Sequence, residues 1–146
     1  MFLSAHIAAG LVVGKLTGNY PLALVSATMW DIDHLVPYYR YGILRSPKMF
    51  WQAITRERDP YHGQRGLFHN LYSFTTISFL VWAVNPAILP TFAWGYFSHL
   101  ALDALDRADF WPFWPMRRVN IRGPIPYFSV AEHILTGLLL LAFILS

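Results

Sequence analysis

The chain contains no cysteine. Disulfides and thiolate metal ligands are therefore excluded, and any metal must be held by nitrogen and oxygen. Charge is also scarce, at 13 % of 146 residues against about 25 % in ordinary soluble domains. The apolar start lacks a basic n-region, so no cleaved signal peptide is expected. Uninterrupted apolar runs of the roughly 20 residues that a spanning helix needs are missing as well.

Apolar residues are abundant, at 55 %, and the length suits one domain over residues 1–146. The pI near 9.4 invites a nucleic-acid reading, which the charge distribution argues against. Arg40, Arg45, Lys48, Arg56, Arg58 and Arg65 share one loop; Arg107, Arg117, Arg118 and Arg122 share another; only Lys15 falls elsewhere. Basic loops between apolar helices follow the positive-inside rule and attract anionic headgroups. The expected partners are membrane lipids and a small-molecule or lipid substrate, with no nucleic acid.

Five apolar runs cover about 2–16, 22–30, 67–84, 90–106 and 129–145, broken at Gly18-Asn19-Tyr20-Pro21, Pro37 and Asn85-Pro86. Ser46-Pro47 resembles a helix cap and first turn, opening a short amphipathic helix through about Arg56 that would lie on the membrane surface. The expected fold is all-α: a multi-pass membrane bundle of about five helices with one short interfacial helix. Runs of fifteen to eighteen residues reach about 22–27 Å, so local bilayer thinning is part of that expectation. Both basic loops fall on one side, read as cytoplasmic, and the N-terminus joins them.

That topology gathers the titratable residues. His6, Asp31, Asp33, His34, His62, His69, His99, Asp103, Glu132 and His133 fall in one layer at the cytoplasmic end. Ionisable groups in a membrane bundle face its interior, paired or functional. His99 and Asp103, four apart, share a helical face and present one imidazole and one carboxylate to a single ion. Each member also has a plain reading. His6 alone would be a packed histidine, His99 with Asp103 a buried hydrogen-bonded pair, and Glu132 a complement to a helix N-terminus. His62 reads as solvated, His133 as structural, and Trp111 and Trp114 as interface anchors. The joint pattern carries the inference of a mono- or dinuclear site.

On these residues the chain resembles the LexA-binding, inner-membrane-associated hydrolases, a family of membrane-bound metal-dependent hydrolases. The resemblance runs over nearly the whole chain. It rests on His6, Asp31-Ile32-Asp33-His34, Arg65-Gly66-Leu67-Phe68-His69, the stretch from Gly95 to Asp103 with His99, and Trp111-Pro112-Phe113-Trp114-Pro115. Trp30 stands where the family commonly has proline, and Gln64 replaces the first histidine of its second motif, with His62 two residues earlier as a substitute. A weaker analogy in ligand order, His, Asp, His, then His-x-x-x-Asp, points to zinc-dependent phospholipases C.

The reading is a metal-dependent hydrolase at the cytoplasmic membrane face, acting on an ester or phosphodiester. Asp33, His69, His99 and Asp103 are the first-choice ligands. His6, Asp31 and His34 complete sites for one or two divalent ions, zinc first, then manganese or iron. Asp31 or Glu132 would act as general base, and Arg65, Arg117 and Arg118 would hold a phosphate. The rivals are a metal-ion or proton transporter using the same cluster, and a non-catalytic membrane protein with a structural metal. Haem ranks low among so many acids.

Overall fold

A computed structural model describes residues 1–55 and 66–146. The described residues form seven α-helices: α1 (Leu3–Thr17), α2 (Tyr20–Thr28), α3 (Leu35–Arg40), α4 (Pro47–Thr55), α5 (Leu71–Val84), α6 (Leu89–Leu105) and α7 (Val130–Leu145). A 3-10 turn, Met29–His34, joins α2 to α3. Local chemistry sets the helix ends. Gly18 closes α1 at φ 75°, a left-handed conformation that glycine adopts without strain. The Asn19 side chain then accepts from the Leu22 amide to open α2, with Pro21 in its first turn. Asn70 and Ser129 cap α5 and α7 in the same way.

Small residues let α1, α2 and α6 come close. Ala5, Ala8, Ala9 and Gly10 of α1 are buried, as are Ala23, Ser26 and Ala27 of α2. A Cβ on Gly10 would lie 3.1 Å from Ala27 Cβ, and one on Gly95 would lie 1.9 Å from Ser26 Oγ. The helices meet almost backbone to backbone there, as small residues allow in bundles that lack a hydrophobic driving force. Two apolar clusters flank the contact. Trp30, Phe92, Tyr96, Leu100 and Phe110 form one; Met1, Ala5, Ala9 and Leu102 form the other, against Leu135 and Leu139 of α7.

Residues 106–128 fold back without forming a strand. Arg107 N donates to Ile125 O (2.9 Å), and Phe110 and Ile121 exchange backbone hydrogen bonds of 3.1 and 2.8 Å. Gly123 is required in this loop, because a Cβ there would fall 2.0 Å from Leu105 O.

The all-helical expectation holds, and the five apolar runs become α1, α2, α5, α6 and α7. The short amphipathic helix forms at α4, and α3 is an addition. Membrane-crossing helices are a different matter. Among the described residues no helix is long and apolar enough to cross a membrane. The longest, α6, has 17 residues, about 25 Å of rise. Gly18 and Asn85 cut the runs short, and His99 and Asp103 take up the last turns of α6.

Candidate metal centre

The 3-10 turn delivers three site residues at once. With three residues per turn, positions i and i+3 eclipse. Trp30 and Asp33 accordingly point inward and are buried, while Asp31 and His34 share the more open side. Trp30 anchors the turn: its indole donates to Ser26 O (2.6 Å) and its ring stacks on Tyr96 at 3.7 Å. That contact explains a large aromatic where the resembled family has proline.

His69 sits just before α5, in a segment fixed from three directions. Asn70 donates to Gly66 O and Leu67 O, Tyr96 Oη donates to Phe68 O (2.6 Å), and Phe68 N donates to Asp33 Oδ2 (3.3 Å). His99 and Asp103 descend from α6 one turn apart, and His6 comes from α1. The chain thus brings His6, Asp31, Asp33, His34, His69, His99 and Asp103 to one end of the bundle. The ligand atoms of three trios, His69–His99–Asp103, His6–Asp31–His99 and Asp31–His34–His69, each lie within 4.8 Å of one another.

The hydrogen bonds of the two central rings decide what those atoms can do. His99 Nδ1 donates to Ala27 O at 2.9 Å, since a carbonyl can only accept. His69 Nδ1 lies 2.9 Å from Asp33 Oδ2 and donates to it. In the neutral form each ring has a bare lone pair at Nε2, and the two Nε2 atoms face each other at 3.0 Å. Both rings are fully buried. Two lone pairs so placed repel unless a cation lies between them. A histidine whose far nitrogen donates to a carboxylate or a carbonyl is the usual form of a metal-ligating imidazole.

The spacings fit one ion. Nitrogen and oxygen ligands of a tetrahedral ion, at bonds of about 2.0–2.1 Å, stand roughly 3.3 Å apart. Asp103 Oδ2 lies 3.3 Å from His69 Nε2 and 3.6 Å from His99 Nε2. Asp31 Oδ1 lies 3.5 and 3.7 Å from the same two nitrogens. Those four distances and the 3.0 Å contact set one oxygen of each aspartate beside the two facing nitrogens. Asp33, expected as a ligand, stands instead behind His69 as its hydrogen-bond acceptor. His6 lies flat on His99 at 4.0 Å, with Nε2 3.6 Å from Asp103 Oδ1, and neither of its buried ring nitrogens has a hydrogen-bond partner.

Exposure and charge distinguish the open side. The Asp31 and His34 side chains are 31 % and 19 % exposed, whereas those of His6, His69, His99 and Asp103 lie between 0 and 2 %. Burial raises the Asp31 carboxyl, but hydrogen bonds from His34 and His69 outweigh it and hold the group well below the ordinary carboxylate range. Burial lowers His69, and hydrogen bonds to Asp31 and Asp33 overcome that, leaving it raised to about 9.

The other expected site residues lie apart from this arrangement. Glu132 is buried, with one carboxylate oxygen accepting from the Phe2 amide and the other from the Phe128 amide (2.6 Å). It ties the start of α1 to the start of α7, with no oxygen aimed at the imidazoles. Arg117 stacks over Trp111 at 5.1 Å, and Arg118 is exposed. Arg65 and His62 lie outside the described residues. His133 packs edge-on against Phe128. Sequence reasoning underrated Asp106, which is buried and accepts from the Met1 amino group at 2.8 Å, as does Asp103. Its spacing of three from Asp103 was the available signal.

The whole chain, residues 1–146, matches the YdjM inner membrane protein family. The protein belongs to that family. Its setting is therefore the inner membrane, while the match speaks to neither hydrolysis nor LexA binding. Neither the curated proteins nor the solved structures provide a match to this chain.

Proposed function

We propose that the protein is a metal-dependent hydrolase of the inner membrane, with its centre at the cytoplasmic face. The observation that carries the reading is the pair of Nε2 lone pairs, 3.0 Å apart and buried, with both tautomers set from behind. His69, His99, Asp31 and Asp103 would hold a divalent ion. Zinc is the first choice because the set mixes imidazole nitrogen with carboxylate oxygen. Such an ion would supply an activated water and polarise an ester or phosphodiester bond.

The residues around it have separate tasks. Asp33 and Ala27 O keep the two imidazoles in the ligating tautomer. His6 shields the His99 ring on its buried side. Asp31, ionised and on the open side, can receive a proton from an incoming water, although its depressed pKa suits it better to ligation than to strong general-base work. Glu132 acts as a structural tie, since its oxygens are committed to amides. Arg65 remains the candidate for a phosphate group because it precedes His69 by four residues. The apolar helices would keep the centre within reach of a lipid or an amphipathic substrate.

A proton held between the two Nε2 atoms is the second reading, and the raised pKa of His69 supports it. It would make the cluster part of a proton path. Against a path across the membrane, the far end of the bundle has no acid or histidine among residues 13–21, 80–92 and 138–146. Lys15 there binds the Phe143 carbonyl at 2.7 Å.

Metal content of detergent-purified protein decides between the readings, measured beside the His99→Ala/Asp103→Ala variant. At least one zinc, manganese or iron ion per chain, lost from the folded variant, supports the hydrolase. No metal in either, even after reconstitution, leaves the proton.

A further inference from the structure

We infer that the centre takes a second divalent ion on the open side of the first, bound by His34 and by Asp31 as a carboxylate shared between the two. This rests on the metal-dependent reading above and extends it to the number of ions.

His34 lies beside the four residues of the first site. Its Nε2 is 3.3 Å from Asp31 Oδ1, the oxygen that also faces His69 and His99. Its ring centroid is 5.2 Å from that of His69. The 3-10 turn puts Asp31 and His34 three residues apart on one side, so the pair is presented together.

Asp33 supplies the second, independent observation. Its Oδ2 backs His69, and its Oδ1 is directed at His34, 3.9 Å from Nδ1. Asp33 Oδ1 and His34 Nδ1 are both buried, and neither has a hydrogen-bond partner. Asp33 thus orients His69 through a hydrogen bond, as carboxylates do for metal-ligating histidines, and leaves a buried, unpartnered oxygen beside an equally unpartnered His34 nitrogen. Asp31, His34 and His69 each offer a ligand atom, and these atoms all lie within 4.8 Å of one another. His6 does not compete for this position, because its ring lies against His99 on the buried side.

Exposure fits the role. Asp31 and His34 are the exposed members of the cluster, so the rest of the second ion's coordination shell would be open to water and substrate. Ions bridged this way lie about 3.5–4 Å apart and can stabilise both the attacking and the leaving oxygen of a displacement. A phosphodiester or phosphomonoester suits such a pair better than a carboxylic ester.

The test is metal stoichiometry of the full chain after reconstitution with manganese(II) chloride alone, read with electron paramagnetic resonance. Two ions per chain are expected, with an exchange-coupled spectrum. His34→Ala and His34→Gln should each keep one ion and give an uncoupled signal. One ion per wild-type chain would overturn the second site and leave the first standing. Two ions retained in both variants would overturn the role of His34. No ion at all would remove the second site together with the metal-dependent reading.

Discussion

α5 and α6 pack side by side, and the more polar of the two occupies the centre. α6 carries His99 and Asp103 and buries eight residues; α5 has no charged residue and buries none. α7 repeats the outer pattern, burying only Glu132 while Ile144 and Leu145 are about 70 % exposed or more. A protein surrounded by water arranges these helices the other way round. Here apolar surface faces outward and polar groups face one another, the arrangement that hydrocarbon surroundings favour. Membership of an inner membrane family agrees with that inversion.

Substitutions at inner and outer positions should separate sharply. The largest effect is expected for Asp103→Ala, which removes a ligand and also the acceptor of the Met1 amino group. Breaking one partner of a buried ion pair costs about 3–5 kcal/mol. Metal content and resistance to denaturation in mixed micelles should fall together, and an unchanged melting profile would contradict the central role of this residue.

Next comes Phe79→Lys on α5, 61 % exposed. A lysine in hydrocarbon costs roughly 2.5–3.5 kcal/mol at mid-depth, so the variant should partition less into membranes after alkaline extraction. If α5 faces water, the variant will fractionate like wild type.

Two glycines make the closest matched pair. Gly95→Ala drives a Cβ into Ser26 and within 3.1 Å of Ala23 O, whereas Gly137→Ala on α7 meets nothing within 4 Å. The first should lose about 1–3 kcal/mol through overpacking. The second should gain up to about 1 kcal/mol from helix propensity. Equal effects, measured by unfolding in mixed micelles, would break the distinction between inner and outer helices.

Much of this was legible in the sequence, for reasons that particular residues make plain. The apolar runs fixed five helices because Gly18 and Asn85 punctuate them. The seven His and Asp residues meet at one end of the bundle because helix alternation returns the chain there, which the sequence pattern shows. Tautomer and shell were beyond reach. Nothing in the sequence shows that Ala27 O would stand behind His99, or that Asp33 would back His69 while Asp31 faces the nitrogens. Neighbouring aspartates in a 3-10 turn point in different directions, and the turn type was not foreseen. Glu132 reads in the sequence either as a base or as a complement to a helix start, and only the structure shows the two backbone amides that its oxygens accept from. Span length was the third gap, since apolar composition signals lipid contact more readily than it signals a crossing.

The most direct test is X-ray absorption at the zinc edge of the zinc-loaded, detergent-solubilised protein, with His69→Ala alongside. The account expects a first shell of nitrogen and oxygen alone at about 2.0–2.1 Å, with the multiple-scattering signature of imidazole, weakened in the variant. Zinc that fails to bind, or an imidazole signature unchanged by loss of His69, would contradict an ion seated between His69 and His99.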